Sequence, residues 1–345
     1  MSMPVLVAMS GGVDSSVAAA LLVEAGHDVT GVTLKLWGGE SDSGCCSVGD
    51  VEDARRVAAQ LDIPHYVFNF VDEFDAKVVG PYADAYASGR TPNPCVECNR
   101  SMKFGRLLDR ADALGFDAVA TGHYARRRGT EGGYRLVRGA DGAKDQSYVL
   151  YMLGQRELAR VLLPVGELTK AEVRAHAARL GLRTAAKPES MDVCFISRRE
   201  GREDFLASRV AARPGAVVDT SGGVVGRHDG ITRFTVGQRR GLGVATGERR
   251  YVLDVDAATA TVTVGARVDL LRDEVRVDGL SFVAGSPPPA EQEVLVQVRA
   301  HGIPVAGNLD DRVVRFASPQ PRVAPGQVVA LYDGDTLLGG GIAAV

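Results

Sequence analysis

Val5-Leu-Val-Ala-Met-Ser10-Gly-Gly-Val-Asp-Ser-Ser16 sets a short apolar run directly against a loop of two glycines and three serines. Val5 to Met9 has the length and apolarity of a buried strand. Ser15 to Ala25, just beyond the loop, carries apolar residues at the three- and four-residue spacings of a helix. A strand that turns straight into a helix leaves the first helical N–H groups without intrahelical partners. Glycines allow close backbone approach, and Ser10, Ser15 and Ser16 add hydroxyl donors, so the loop suits a polyphosphate. A Walker loop has a lysine after its last glycine. Here Asp14 stands where a positive group would be expected, which argues against kinase-type handling of a γ-phosphate. A carboxylate beside phosphates implies a bridging cation, Mg²⁺.

Outward from this loop the same alternation continues. Val29 to Leu34, His65 to Phe68 and Ala118 to Thr121 read as further buried strands, and Val51 to Leu61 and Phe104 to Leu114 as helices. Strand and helix in alternation predict an α/β fold, a doubly wound and mostly parallel sheet with its ligand at the carboxyl ends of the strands. Helical character is expected from Asp145 through Leu180, with Thr169 as N-cap of the last helix and Gly181 at its end. From about Ala216 the pattern changes to alternating runs broken by Gly and Pro: Tyr251 to Val255, Thr261 to Val264, Val294 to Val298 and Val328 to Leu331. The expected division is therefore 1–197 for the sheet domain, 198–271 for a small β-rich domain and 272–345 for a second, barrel-like one. Ser286-Pro-Pro-Pro289 belongs in a loop or at an edge.

With 345 residues, the chain has room for two or three such units. No apolar run reaches the ~18 residues needed to cross a bilayer, and Met1 to Met9 lacks the features of a signal peptide. A cytoplasmic protein without a membrane partner is expected. A net charge of −3 excludes a generic nucleic-acid coat but not a local basic face. Arg126-Arg-Arg128, Arg198-Arg199, Arg202, Arg239-Arg240 and Arg249-Arg250 are candidates for such a face, with solvated surface charge as the plain alternative.

Five cysteines in a reducing compartment point to reactive or metal-binding thiols rather than staples. Cys95 and Cys98 lie three apart in Thr91-Pro-Asn-Pro-Cys-Val-Glu-Cys-Asn99, and Cys194 in Glu189-Ser-Met-Asp-Val-Cys-Phe-Ile196. The C-x-x-C spacing alone is compatible with redox, zinc and iron–sulfur roles. A thiolate can also carry labile sulfur as a persulfide and pass it to a carbon electrophile. Cys45 and Cys46, in the loop Gly38 to Asp50, carry no assigned role. His123, after Gly122, is either near the site or a satisfied loop histidine, and Gly241 to Gly247 reads as a loop.

The Ser10–Ser16 loop resembles the pyrophosphate loop of N-type ATP pyrophosphatases, whose domain is adenine nucleotide α-hydrolase-like. That resemblance implies ATP, cleaved between its α- and β-phosphates, held by Ala8, Met9, Ser10, Gly11, Gly12, Val13, Asp14 and Ser15, with Leu34 and Gly122 near the adenosine. The Thr91–Asn99 stretch, Ala120 to Arg126, Lys144 to Tyr148, Leu163 to Leu168, Cys194 to Ile196 and Gly237 to Gly243 together resemble the bacterial tRNA-specific 2-thiouridylases. This second resemblance implies adenylation of the wobble uridine's C2 oxygen in tRNA, with Cys98 as nucleophile, Cys194 as persulfide carrier and Asp14 in the catalytic loop. It also places Asn93, Pro94 and Cys95 at the target base, and Lys144, Asp145, Gln146, Arg299 and Ala300 against tRNA. Sulfur would come from a donor protein such as a cysteine desulfurase or a relay. Cys95 departs from the aspartate of many members, and Gln297 and Ala300 from a lysine and an aromatic. Three thiols could also hold three irons of a [4Fe–4S] cluster, a second route to the same product. An amide ligase of the argininosuccinate synthetase kind and a non-catalytic tRNA-binding module are the competing readings.

Overall fold

The computed structural model describes residues 2–37, 47–189, 193–196, 201–244 and 247–345. Cys45, Cys46, Arg198 and Arg199 lie outside them. The first unit is built on five parallel strands: β1 (Pro4–Ala8), β2 (Asp28–Lys35), β3 (His65–Asn69), β4 (Ala118–Ala120) and, beyond a hairpin of β5 (Ala125–Thr130) and β6 (Gly133–Arg138), β7 (Val161–Leu162). Their order is β3-β2-β1-β4-β7. Winding runs outward from β1 in one direction and from β4 in the other, so a crevice opens between their carboxyl ends, where ligands of such sheets bind.

Both faces of this sheet are dry. Val5 and Val7 look into one apolar cluster with the helix Val13–Glu24, and Leu6 into another with Val32, Phe74 and Leu107. The expected helices over Val51–Leu61 and Phe104–Leu114 are present but begin earlier. One runs Val48–Gln60. The other starts at Pro94, continues through a π-helical stretch Cys98–Arg106 and ends at Ala113. The helical character expected from Asp145 to Leu180 is broken at Gly154 and Pro164 into short 3₁₀ and α turns around β7, and only Lys170–Arg179 is a sustained helix. Its cap is as expected: the Thr169 hydroxyl accepts from the Glu172 N–H, and the Glu172 carboxylate accepts from Thr169.

The β-rich half forms two sheets. β8 (Gly215–Val218), β9 (Val224–His228), β10 (Tyr251–Asp256) and β11 (Thr261–Gly265) make a four-stranded sheet. The strands β12 (Leu271–Phe282), β13 (Glu293–Gln297), β14 (Val305–Asp310), β15 (Val313–Pro321), β16 (Val328–Asp333) and β17 (Thr336–Ala343) close on themselves, because the long β12 pairs with β15 at one end and β17 at the other. Closure removes the free edges. The triple proline falls in the β12–β13 connection.

Two features cross the expected boundaries. The helix Gly201–Ala207 buries Phe205 and Leu206 in the first unit's core, so the central unit's own strands start at Gly215. The β5–β6 hairpin pairs through Leu136 and Val137 with β17, and Leu136, Tyr148, Tyr151 and Leu163 share one core with Val328, Ala330 and Tyr332. A short apolar segment between β4 and β7 finds its cover in the barrel rather than in its own sheet.

Candidate active site

The loop after β1 is held in shape by its own serines. Ser15 Oγ accepts from the Ser10 N–H at 3.2 Å and donates to the Gly12 carbonyl, to which Ser16 Oγ also donates at 2.8 Å. Ser16 is fully buried, so its expected donation to phosphate does not fit. Met9 is likewise spent: its side chain is buried, its N–H goes to Val32 and its carbonyl to Thr33 Oγ1. Val13 packs into the core. What the loop offers an anion is the exposed Ser10, the backbone at Gly12, and a twelve-residue helix whose N-terminus has no side-chain cap. Gly11 sits at φ +72°, where a Cβ would run into the Asp50 carbonyl. Gly122, at the end of β4, lies so close to Asp14 and Ser15 that a Cβ there would stand 2.7 Å from the Ser15 nitrogen. It keeps the two sides of the crevice in contact.

Charge around the loop comes from residues the sequence reading did not assign. Lys170 Nζ lies 2.7 and 2.8 Å from the two Asp14 oxygens, and Tyr124 donates its hydroxyl to Asp14 at 2.6 Å. Asp14, the residue expected near Mg²⁺, is thus held by an ammonium and a phenol. Lys170 also faces Glu189 at 3.5 Å, and Glu189 pairs with Lys144 at 2.8 Å. The Lys144 hydrogen bond, with Lys170 nearby, holds the Glu189 carboxyl below its usual range. On the other side, Lys187 Nζ donates to the Gly11 carbonyl, Asp50 and Asp53 at 3.0, 2.6 and 2.6 Å. Burial alone would lower that ammonium's pKa, and the two carboxylates more than reverse it.

The thiols lie on the other face of the sheet from the helix that follows the loop. Asn93 caps the helix at Pro94 by accepting from the Cys95 N–H at 3.0 Å. Cys95 and Cys98 follow three apart on one face, the first half-buried and the second buried. Cys98 belongs to the apolar cluster that contains Leu34, Leu36, Phe74, Met102 and Phe195, and Ala8 and Cys194 pack against the same cluster. Cys194 is carried there by its neighbour Phe195, whose ring meets Tyr82 at 5.3 Å and Phe74 at 5.8 Å. The approach to the helix is clamped by the other units: the Thr91 N–H donates to the Pro325 carbonyl at 2.7 Å, and its hydroxyl reaches Thr235. His123 is a satisfied loop histidine, with Nδ1 at 2.7 Å from Thr121 Oγ1. Burial, with Lys103 nearby, holds its pKa well below 6.5, so it is neutral at pH 7.

Among the described residues, no group of three or more His, Cys, Asp or Glu side chains is placed to hold a metal ion. Cys95, Cys98 and Cys194 are all described and do not form such a group.

A family model described as "tRNA methyl transferase HUP domain" matches residues 3–198, one described as a PRC-barrel domain of the same group matches 203–266, and an "Aminomethyltransferase beta-barrel domain" matches 272–343. The tRNA-specific 2-thiouridylase MnmA of Roseiflexus sp. (strain RS-1) is 51% identical over 368 residues, covering 98% of each chain. Its counterpart in Chloroflexus aurantiacus (strain ATCC 29366) is 49% identical over 348 residues, covering 98% of this chain and 97% of its own. This chain belongs to the tRNA-specific 2-thiouridylase family. The methyl-transferase wording of the domain models disagrees with the names of these relatives. The relatives match over nearly the full length of the chain, whereas each domain model covers one part of it. A solved U34-tRNA thiolase, NcsA from Methanococcus maripaludis, is similar at a TM-score of 0.38, with 18% identity over 60% of this chain and 64% of its own.

The residues expected to meet tRNA in a 2-thiouridylase fall into two kinds. Lys144 is half-buried and Gln146 exposed, though Gln146 Oε1 already accepts from the Tyr124 N–H. Asp145 between them is buried, with its oxygens taken by Arg138, Gly139 N–H and Ser147, so it shapes the loop and does not face solvent. Arg138 then donates to Gln297 Oε1, and Gln297 Nε2 to the carbonyls of Arg299 and Ala300. One buried relay thus fixes both expected tRNA segments, and Arg299 and Ala300 stay exposed on the barrel. Arg126, Arg127 and Arg128 are engaged by the Arg138 carbonyl, the Leu158 carbonyl and Glu167.

Proposed function

We propose that this chain converts the wobble uridine of tRNA to 2-thiouridine at the expense of ATP. The observation that carries the reading is the packing of Cys98, Cys194, Leu34 and Ala8 on one apolar cluster, which sets sulfur chemistry beside the end of the nucleotide strand. ATP enters with Mg²⁺ as substrate, its phosphates on Ser10, Gly12 and the helix N-terminus, its adenosine toward Leu34 and Gly122. The flipped uridine, held near Asn93, Pro94 and Cys95, loses its N3 proton as its C2 oxygen attacks the α-phosphorus, and pyrophosphate leaves. Adenylation makes that oxygen a good leaving group.

A donor protein supplies sulfane sulfur, and Cys194 carries it as a persulfide. The terminal sulfur attacks C2, AMP departs with the C2 oxygen, and a C2–S–S–Cys194 adduct remains. The Cys98 thiolate then attacks the Cys194 sulfur. The adduct's S–S bond breaks, its electron pair stays on the sulfur bound to C2, and N3 regains a proton. The Cys98–Cys194 disulfide that remains is returned to thiols by an external dithiol. tRNA is gripped through its anticodon arm by Lys144, Gln146 and Arg299, with phosphate contacts that weaken as salt rises.

An amide ligase would be indifferent to these thiols, and a non-catalytic module would release no pyrophosphate. Mass spectrometry of tRNA nucleosides after incubation with ATP and a sulfur source tests the reading. Cys98→Ser and Cys194→Ser are each expected to abolish 2-thiouridine while tRNA-dependent pyrophosphate release persists. Full thiolation by either variant would remove that thiol from the reaction.

A further inference from the structure

We infer that Lys170 is the missing cation of the nucleotide loop, a positioning residue that holds Asp14 while the loop is empty and turns to the polyphosphate when ATP enters. This deepens the ATP reading above and rests on it. A loop without its own lysine, and with Asp14 in the first turn of its helix, repels a tetra-anion unless a positive group compensates. Among the described residues, two ammonium groups touch the loop. Lys187 has three acceptors for its three N–H donors, the Gly11 carbonyl, Asp50 and Asp53, and is committed to holding the backbone. Lys170 differs: two donors meet the Asp14 oxygens at 2.7 and 2.8 Å, and the third only approaches Glu189 at 3.5 Å.

Its backbone is fixed while its side chain can swing. Lys170 is the first residue of its helix, behind the Thr169–Glu172 capping box, and its N–H donates to Asp141 at 2.9 Å. When the ammonium leaves Asp14, the Tyr124 hydroxyl remains on that carboxylate at 2.6 Å, so Asp14 is not stranded. The Lys170 side chain is 14% exposed, which shields the exchange from solvent and makes a single charge matter.

The test is equilibrium binding of ATP by calorimetry, with EDTA present so that no metal enters the comparison. Lys170→Met is expected to weaken ATP on the order of 10- to 100-fold, the usual weight of a charge-assisted hydrogen bond. Lys170→Arg, which keeps the charge, is expected to recover much of that loss. Asp14→Asn supplies the opposite sign: it frees Lys170 and is expected to tighten metal-free ATP, and adding Lys170→Met should remove the gain. A lysine that merely props Asp14 would leave ATP affinity unchanged by Lys170→Met in the Asp14→Asn background, and that result overturns the inference alone. Wild-type protein that binds no ATP with or without Mg²⁺ overturns the inference together with the ATP reading. Thermal melts of each variant accompany the titrations, and a Lys170→Met protein that melts early is replaced by Lys170→Gln, alone and in the Asp14→Asn background, with the same outcomes read from it.

Discussion

The nucleotide loop and the thiol platform flank the carboxyl end of one sheet, on opposite faces, and are held by opposite kinds of force. Around Ser10–Ser16 the fixing contacts are short and charged: Lys170 on Asp14, Lys187 on Gly11, Asp50 and Asp53. Around Cys98 and Cys194 they are apolar, with Phe74, Tyr82, Phe195 and Phe205 interlocked beneath the thiols. A loop that must receive a polyanion is held by charges that a ligand can redistribute. Thiols proposed to meet each other are better served by a dry, close-packed floor, which changes little when charge arrives.

The largest effect should come from the floor. Phe195 is 3% exposed, and Phe195→Ala is expected to cost about 3–5 kcal/mol of stability. Because the preceding residue is Cys194, thiolation should fall more than tRNA-dependent pyrophosphate release in the fraction that stays folded. Equal loss of both would erase the distinction between the two regions. Next in size is Gly11→Ala, which places a side chain at φ +72° and against the Asp50 carbonyl. Strain alone costs about 1–3 kcal/mol. Here pyrophosphate release should go first. Gly12→Ala, at φ −90° with Ser10 Oγ at 3.6 Å as its nearest neighbour, should melt like wild type.

Smaller again is Lys187→Met. The side chain is 27% exposed, so screening reduces its worth to about 1 kcal/mol. Its raised pKa sets the sign: the contribution is complete below the ordinary lysine value of 10.5 and is lost as pH rises through the folded value. Denaturant midpoints at pH 8 and pH 11 should therefore differ more in the wild type than in Lys187→Met, and equal differences would refute the assignment.

The same contrast explains what could be read in the sequence. The loop, its strand and its helix are neighbours along the chain, so periodicity and glycine chemistry sufficed for Val5–Ala25. The parallel sheet and β-rich second half were legible for the same reason. Lys170 and Lys187 reach the loop from more than 150 residues away, and no local pattern separates them from surface lysines. Lys170 stands directly after a legible N-cap, Thr169, and that position facing an acidic loop was the one available hint. The hairpin β5–β6 was missed because its arginines read as a basic patch. The resemblance sets Asp145 against tRNA with its two neighbours, and nothing in Lys144-Asp-Gln146 tells which side chain turns inward. Its partners Arg138 and Gln297 come from β6 and β13, and only the barrel brings them together.

The smallest effect is the pH response below neutrality, and it separates the two regions once more. His123 sits between them, hydrogen-bonded to Thr121 and 3.5 Å from Lys103 on the thiol helix. Burial, then Lys103, keeps it neutral in the fold, whereas the unfolded chain takes up its proton below about 6.5. Stability is thus present above that value and is lost as pH falls toward the lower folded pKa, by at most about 1.4 kcal/mol per pH unit for such a group. His65 and His228, also lowered first by burial, add slopes of the same sign. His123→Gln cannot titrate, so its denaturant midpoint should fall less between pH 7 and pH 5.5 than that of the wild type. Protonation would set a second positive charge against Lys103 and so disturb the helix that carries Cys98, while the Lys170–Asp14 pair lies outside its contacts. Acid should therefore slow thiolation before it weakens ATP binding, and a wild type whose ATP affinity falls first would place the sensitive group on the nucleotide side instead.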